Sequence, residues 1–382
     1  MVGLGLRANL VEAAHRPGRG SVIAALCDLD IERAQRWAGH APDARLTTRV
    51  EDLLDDPGID AVIIATPDHT HEELVTAALI AGKATFAEKP LSITTASCDA
   101  ILATAMRTGT RLYVGHNMRH FAMVRIMKRL IDEGAIGEVK AIWCRHFVGH
   151  GGDFYFKDWH AERAKVTSLL LQKGAHDIDV IHWLAGGVSR RVHGMGGLTV
   201  YGRITDTHDG PGLPPHWFDP DRNWPPLANT GMHRPMDVED LSMMQMVLDN
   251  GVFASYQECH FTPDYWRNYT VLGTEGRIEN FGDTAGHVAV YRGRSGYAPK
   301  PTSSNRFRPT KGGHGGADSR IMAEFARFVR VGGVTDTSPI GAREAVAAGC
   351  AGAESIRTGG VPIEVPPPDA AVASYFAAGQ CW

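Results

Sequence analysis

Two stretches of the chain hold side chains whose types and spacing suit proton transfer. In the first, Phe86-Ala87-Glu88-Lys89-Pro90-Leu91, a Glu-Lys-Pro follows directly on an apolar strand pattern. Pro90 fixes its own φ, has no N–H and steers the residue before it away from helix. Lys89 is therefore expected in an extended or turn geometry with its ammonium free to enter a cleft. In the second, Gln172-Lys173-Gly174-Ala175-His176-Asp177-Ile178-Asp179-Val180-Ile181-His182-Trp183, helical spacing puts Lys173, His176 and Asp179 on one face and leaves Ile178, Ile181 and Leu184 as an apolar stripe. An imidazole oriented by a carboxylate is a general acid/base unit, because histidine titrates near neutrality. Each stretch also has a plainer reading: a strand-ending proline beside a solvated ion pair, and a partly buried helix with capping charges. The surrounding elements favour the chemical one.

Those elements begin with Met1-Val2-Gly3-Leu4-Gly5-Leu6-Arg7-Ala8, which reads as the end of a strand, a GxGxxA turn and a helix through about residue 15. Glycines there let the backbone close on a pyrophosphate at a helix N-terminus, where free N–H groups and the dipole favour anions; Gly3, Gly5 and Leu6 are candidate cofactor contacts. Residues 21–27 form a second strand that ends at Asp28, the distance at which a carboxylate meets an adenosine ribose. Asp28 would accept from a ribose diol and repel a 2′-phosphate, and Leu29 and Asp30 bring no cation, so NAD is expected over NADP. The alternative is that Asp28 only caps the next helix. Two residues precede Gly3, few for a buried first strand, and the expectation is either a stunted strand or a start placed too late.

Residues 61–65 are continuously apolar, as in a parallel sheet covered on both faces, and run into Thr66-Pro67-Asp68-His69-Thr70-His71. Ligands of such sheets sit beyond the carboxyl ends of the strands, so Thr66, Pro67 and His71 are expected at the cofactor. His69 and His71 have no third ligand near them in sequence, and no metal is expected there. Helices at about 31–37, 50–54, 72–81 and 94–108 alternate with strands at 84–87 and 111–115, a βαβ rhythm that defines a doubly wound Rossmann domain over 1–117. Past that point the pattern changes. After a helix at about 123–133, strand patterns at 139–147, 192–200, 241–248, 252–259 and 269–272 surround one clear helix, 174–184. They predict a second α/β domain, 118–382, with a large, mostly antiparallel, open-faced sheet. A Gly/Pro-rich insert, 203–234, carries Trp217 and Trp224 and reads as a rim over the site or a subunit contact. Lys311-Gly312-Gly313-His314-Gly315-Gly316 opens a helical segment to about 331, a helix follows at 342–358, and the proline-rich tail after Val361 is expected to lie on the surface.

At 382 residues, 43% hydrophobic and 21% charged, the chain is long enough for two domains, with a cleft between them for a small molecule. A net charge of −4 and a pI near 6.5 supply no basic field, so nucleic acid is not an expected partner. No apolar run has membrane-spanning length, no signal-peptide pattern opens the chain, and the scattered cysteines fit a reducing cytoplasm.

Taken together, the motifs resemble the Gfo/Idh/MocA family of NAD(P)-dependent oxidoreductases over nearly the whole chain. The resemblance is carried by Gly3-Leu4-Gly5, Ala65-Thr66-Pro67, Glu88-Lys89-Pro90, Gly115-His116-Asn117-Met118-Arg119, the His176/Asp179 helix and Val271-Leu272-Gly273-Thr274-Glu275-Gly276. It implies hydride transfer at a sugar or polyol hydroxyl and a second domain whose open sheet mediates homodimers or homotetramers. It also implies Lys89 as the active-site lysine, His176 as the proton-transfer residue, Glu88 and Asn117 beside the cofactor, and Arg119 and Asp179 among the substrate contacts. In a common family pattern an aspartate lies four residues before the histidine. Here that position is Gln172, with Lys173 beside it, so the usual polyols are not carried over. Lys173 is then either a ligand for a substrate anion or hydroxyl, or a cation that lowers the pKa of Lys89 so that lysine shares proton transfer. Glycosidases that use bound NAD for transient oxidation, some of which carry a segment similar to Gly312–Gly316, and a non-catalytic dinucleotide sensor are the alternatives to a dehydrogenase.

Overall fold

The computed structural model describes every residue except 211, 295, 298–299, 310–312 and 381–382. Its contacts divide the chain into two units, one of Met1–Phe121, Pro309–Arg343 and Pro368–Trp382, the other of Ala122–Arg308 and Glu344–Pro367. The division at 117/118 drawn from the sequence carries no such return of the C-terminal segments to the first unit.

In the first unit the strands Arg45–Thr47 and Ala25–Cys27 pair in parallel, as do Ala61–Ile64, Ala84–Ala87 and Leu112–Val114. Val2 joins the two sets, bridging Cys27 on one side and Ile64 on the other. The strand order is therefore the doubly wound one, with Val2 alone, bridged on both sides, standing as its central strand. The Arg45–Thr47 strand has no counterpart in the sequence reading, since three residues, two of them polar, show no period. Helix Ala317–Val331 covers the sheet. Its Ile321, Phe325 and Phe328 are buried at helical spacing, and Phe325 meets Phe86 and Tyr113 with ring centroids 5.5 and 5.6 Å apart. The tail is more than a surface strap. Helix Ala370–Ala377 buries Val372, Tyr375 and Phe376, and the Gln380 side chain pairs with both N–H and C=O of Leu112, at 2.8 and 2.7 Å, closing the open edge of the parallel sheet.

The second unit is built on nine strands in the order Ser303–Phe307, Gly286–Arg292, Gly276–Phe281, Trp266–Gly273, Val139–Phe147, Phe253–Cys259, Leu241–Leu248, Ser189–Gly197 and Ile363–Glu364. Every neighbouring pair is antiparallel except Phe253–Cys259 with Val139–Phe147. The first three strands were not legible: GRIENF buries only Ile278 and Asn280, and SSNRF is an exposed edge. The helix Ala175–Ala185 lies where the pattern places it, but Gly151–Tyr155, Arg163–Val166 and Leu169–Gln172 add three short helices to the single one expected. Inside the 203–234 insert, Thr207–His208 pairs with Met232–His233, and Trp217 packs edge-on against Phe154 at 5.3 Å. No helix among the described residues is long and apolar enough to cross a membrane.

Candidate active site

The glycine turn in the first unit is constrained at Gly3 and open at Gly5. Gly3 has φ +85°, and a Cβ there would fall 2.6 Å from the Ala65 carbonyl oxygen, so no other residue lets the turn pass the Thr66 loop. At Gly5 the corresponding space is open, a cradle that a side chain would fill. The chain then winds through Ala8 N–H to Gly5 C=O and Leu10 N–H to Arg7 C=O contacts, and the helix proper is only Leu10–Ala14. A helix running straight from the GxGxxA turn is therefore corrected to a tightly wound turn and one short helix. Leu6 is exposed at its tip.

Asp28 is buried. Its Oδ2 accepts from Leu4 N–H at 2.7 Å and its Oδ1 from Asp30 N–H at 3.0 Å, so one carboxylate ties the end of its strand to the glycine turn. The helix cap is Asp30, whose side chain accepts from Glu32 N–H, which removes the reading of Asp28 as a mere cap. Each Asp28 oxygen keeps a lone pair for a further donor. Thr66 and Pro67 follow the Ala61–Ile64 strand, and Thr66 Oγ1 accepts from Thr70 Oγ1 at 2.7 Å. His71 is fully buried with Nδ1 2.9 Å from Pro90 O and Nε2 3.0 Å from Thr66 O. The expectation of His71 at the cofactor is thus replaced by a positioning role: its ring is used up in holding the Thr66 and Pro90 loops together.

Glu88 accepts from Arg7 Nε at 2.7 Å and from Lys89 N–H at 2.8 Å. Arg7 also grips Asp318 at 3.0 and 3.1 Å, and Asp318 accepts from Asn9 at 3.0 Å and Asn117 at 3.3 Å. His314, with Nδ1 3.0 Å from Asp318 Oδ2, closes the cluster; Lys311 and Gly312 of its glycine-rich segment lie outside the described residues. Burial would push the Asp318 carboxyl up, but the contacts from His314 and Arg7 outweigh it and hold it far below the usual range. Sequence reasoning missed the cluster of Arg7 and Asn9 with Asp318, which lies more than 300 residues further along the chain and shares no local motif with them. Lys89 itself is half-buried and joined to Pro90 by a cis peptide bond. Asn117 is buried, and its Oδ1 has no hydrogen-bond partner among the described residues, as a group awaiting a donor would be. Arg119 is also buried and spends one N–H on Asp336 O at 2.9 Å, leaving less of it for substrate than the sequence suggests. The open Gly5 cradle, Asp28 and the orphaned Asn117 oxygen together fit a dinucleotide.

In the second unit the helix begins at Ala175, so Lys173 is not on it. Lys173 ends the short Leu169–Gln172 helix, and both it and Gly174 keep helical dihedrals, so the three-residue spacing to His176 survives across the junction. Gly174 is required there, since a Cβ would lie 2.1 Å from Leu170 O and 2.9 Å from the Tyr256 ring. The Lys173 ammonium sits 5.4 Å from the Tyr155 ring centroid, and burial, then the Arg267 charge, pushes its pKa down to about 8. His176 is half-buried in the first turn; the Ile178, Ile181 and Leu184 stripe is buried as expected, and Asp179, expected on the His176 face, is buried as well.

The residue between them was overlooked. Asp177 is fully buried against the sheet, with Arg267 Nε 2.9 Å from Oδ1, His146 Nδ1 3.1 Å from Oδ2, and the Tyr256 and Tyr269 hydroxyls donating to the same carboxylate. Register explains the gathering: Arg267 stands opposite His146, and Tyr256 and Tyr269 both stand opposite Cys144, on one face of three adjacent strands. Burial would raise the Asp177 pKa, but Arg267 and then His146 outweigh it and hold the carboxyl well below the usual range; Arg267 stays charged. Burial and the same guanidinium push His146 down to about 3, so the imidazole is neutral. Polar residues at every second position of strands that should be apolar beneath a helix were the available signal.

A glycine cradle at the carboxyl end of a doubly wound sheet, with a carboxylate at the end of the next strand, defines a dinucleotide-binding protein. Residues 1–116 match the oxidoreductase family model with an NAD-binding Rossmann fold, and residues 124–279 match the GFO/IDH/MocA C-terminal domain. The chain belongs to the Gfo/Idh/MocA oxidoreductase family, and its first unit is an NAD-binding Rossmann domain. It is 35% identical over 175 residues to inositol 2-dehydrogenase 1 of Saccharopolyspora erythraea, a match covering 45% of this chain and 49% of that protein. Over 164 residues it is 32% identical to the inositol 2-dehydrogenase/D-chiro-inositol 3-dehydrogenase of Lactiplantibacillus plantarum, covering 42% and 44%. The chain thus spans about half the length of the curated relatives it matches. Among solved structures, levoglucosan dehydrogenase in complex with NADH and levoglucosan superposes with a TM-score of 0.76 at 20% identity over 96% of this chain and 98% of that one. An oxidoreductase from Agrobacterium radiobacter in complex with NAD+, L-tartaric acid and magnesium gives 0.72 at 20% over 95% and 97%. At such identity these two show the fold.

Proposed function

We propose that the protein is an NAD-dependent dehydrogenase that oxidises, or in reverse forms, a hydroxyl of a sugar, polyol or sugar derivative. The observation that supports this most is that both units match one oxidoreductase family and retain Lys89 and His176. The similarity to inositol 2-dehydrogenases and to levoglucosan dehydrogenase supports the substrate class.

Bound NAD supplies the hydride acceptor. The Gly3–Gly5 turn and Asp28 hold the dinucleotide, with Asn117 Oδ1 available to a carboxamide or hydroxyl donor. His176 takes the substrate hydroxyl proton, and the Lys89 ammonium stabilises the alkoxide as charge develops on oxygen. The neutralised Asp177–Arg267 pair beneath the helix fixes the first turn that carries His176, a positioning role. Lys173, pushed down to about 8, binds a substrate hydroxyl or anion as the ammonium. Because Asp28 has lone pairs for a ribose diol and neither Leu29 nor Asp30 brings a cation, NAD is preferred over NADP. Trp143, Met195 and Phe253, each more than half exposed, share the open face of the sheet, which supports a homo-oligomer. A cytoplasmic location fits the same reading.

The hydrolase alternative gains nothing from the glycine-histidine segment, because His314 is engaged by Arg7 and Asp318. The test is NADH formation on a panel of sugars, inositols and sugar acids, repeated with Lys89→Met and His176→Ala. Each variant is expected to lose about two orders of magnitude or more in turnover while NAD binding stays nearly intact. Near-normal turnover by either variant would remove that residue's role, and hydrolysis without net NADH would favour the glycosidase.

A further inference from the structure

Three side chains that take no part in the chemistry above converge within the first unit. His120 closes the short turn Asn117–His120, Glu324 lies on helix Ala317–Val331, and Asp336 follows that helix. One ligand atom from each lies within 4.8 Å of the other two. His120 Nε2 stands 3.4 Å from Glu324 Oε2, which is the edge of a tetrahedron whose bonds to a central ion are about 2.1 Å. We propose that His120, Glu324 and Asp336 form a binding site for a divalent transition-metal ion, zinc or manganese in character.

The surroundings are those of a built site. Glu324 is held on one oxygen by the Tyr113 hydroxyl and on the other by Asp336 N–H at 2.8 Å. Arg320 donates to His120 O at 3.0 Å, and Arg119 to Asp336 O at 2.9 Å, so the backbone of two of the ligand residues is fixed as well. Such outer contacts orient metal ligands. Two buried polar atoms here lack hydrogen bonds: His120 Nε2, in a residue 3% exposed, and Thr337 Oγ1, next to Asp336 and 1% exposed. An imidazole nitrogen that makes no hydrogen bond and meets its carboxylate only at an ion-pair distance of 3.4 Å is well placed for a shared ion. One imidazole with two carboxylates is a donor set of intermediate hardness, which suits zinc or manganese better than calcium. His120 ends the segment that carries Asn117 and Arg119, so an ion here would staple that segment to the chain after helix Ala317–Val331.

The test is calorimetric titration of ZnCl2, and separately MnCl2, into the full chain, free of any affinity tag and stripped with EDTA. One equivalent is expected to bind with micromolar or tighter affinity. Asp336→Asn and His120→Gln are each expected to weaken it about tenfold or more, and His69→Gln to leave it unchanged. Co2+ should give the wild type a visible d–d band that both ligand variants lack. Asp336→Asn keeps the carbonyl bonded to Arg119, so a native circular dichroism spectrum is expected from it. Absence of stoichiometric binding, or binding and a Co2+ band that survive in both variants, would overturn the site in favour of a His120–carboxylate ion pair.

Discussion

Replacing Arg267 with methionine would leave the Asp177 carboxylate buried beneath the helix that carries His176. The guanidinium contributes a 2.9 Å contact to Asp177 Oδ1, a 3.0 Å contact to His146 Nε2 and a 3.6 Å contact to Asp283. Removing one partner of a buried ion pair leaves an uncompensated charge and costs about 3–5 kcal/mol. Part of that is recoverable. With Arg267 gone, one of the three causes that depress His146 disappears, leaving burial and the weaker Lys173 charge, and the imidazole, 3.1 Å from Asp177, can take a proton. The loss is therefore expected near about 3 kcal/mol at pH 7 and smaller at pH 5.5, where protonation is easier. Asp177→Asn combined with Arg267→Met removes both charges and should be closer to the wild type than Arg267→Met alone, with a coupling of about 2 kcal/mol or more. Urea unfolding of the wild type, Arg267→Met, Asp177→Asn and the double variant measures this. A loss under about 1 kcal/mol for Arg267→Met, or strict additivity in the double variant, would show that Arg267 does not hold Asp177.

Three further outcomes are expected. Because burial and Arg267 lower His146 from its ordinary 6.5 to about 3, the unfolded chain binds a proton there that the folded chain refuses; stability should fall by about 2 kcal/mol between pH 7.5 and pH 5, and His146→Gln should flatten that slope in urea titrations. Lys173→Met should raise KM about tenfold with much less effect on kcat, and wild-type KM should rise as the pH passes about 8 and the ammonium is lost; unchanged kinetics would exclude a substrate role. Titration of NAD against NADP should favour NAD by about tenfold or more, and equal affinity would remove Asp28 from ribose recognition.

The fold was legible where periodicity is strong: the apolar strands at 61–64 and 84–87, the helix at 175–185 and the alternating strands of the large sheet. What escaped notice was either short, as in Arg45–Thr47, or non-local. Gln380 sealing Leu112, and Arg7 meeting Asp318, depend on segments 268 and 311 residues apart, a distance no local pattern spans. Lys89, His176 and Asp28 could be singled out as candidates because their motifs are contiguous. Asp177 lay one residue from a chosen histidine and was passed over, because its partners Arg267, His146, Tyr256 and Tyr269 come from three strands and become neighbours only through register. His71 and Lys173 show the opposite limit: spacing singles out their segments but not whether a ring is enclosed or a helix interrupted.

The account rests on direct hydride transfer to NAD from a carbinol carbon. A substrate that turns over in the sugar and inositol panel, deuterated at that carbon, provides the most direct test, with the nicotinamide product examined by NMR. Deuterium retained on the C4 position of stoichiometrically formed NADH is the predicted result. Unlabelled NADH, or product released with no net NADH, would contradict it.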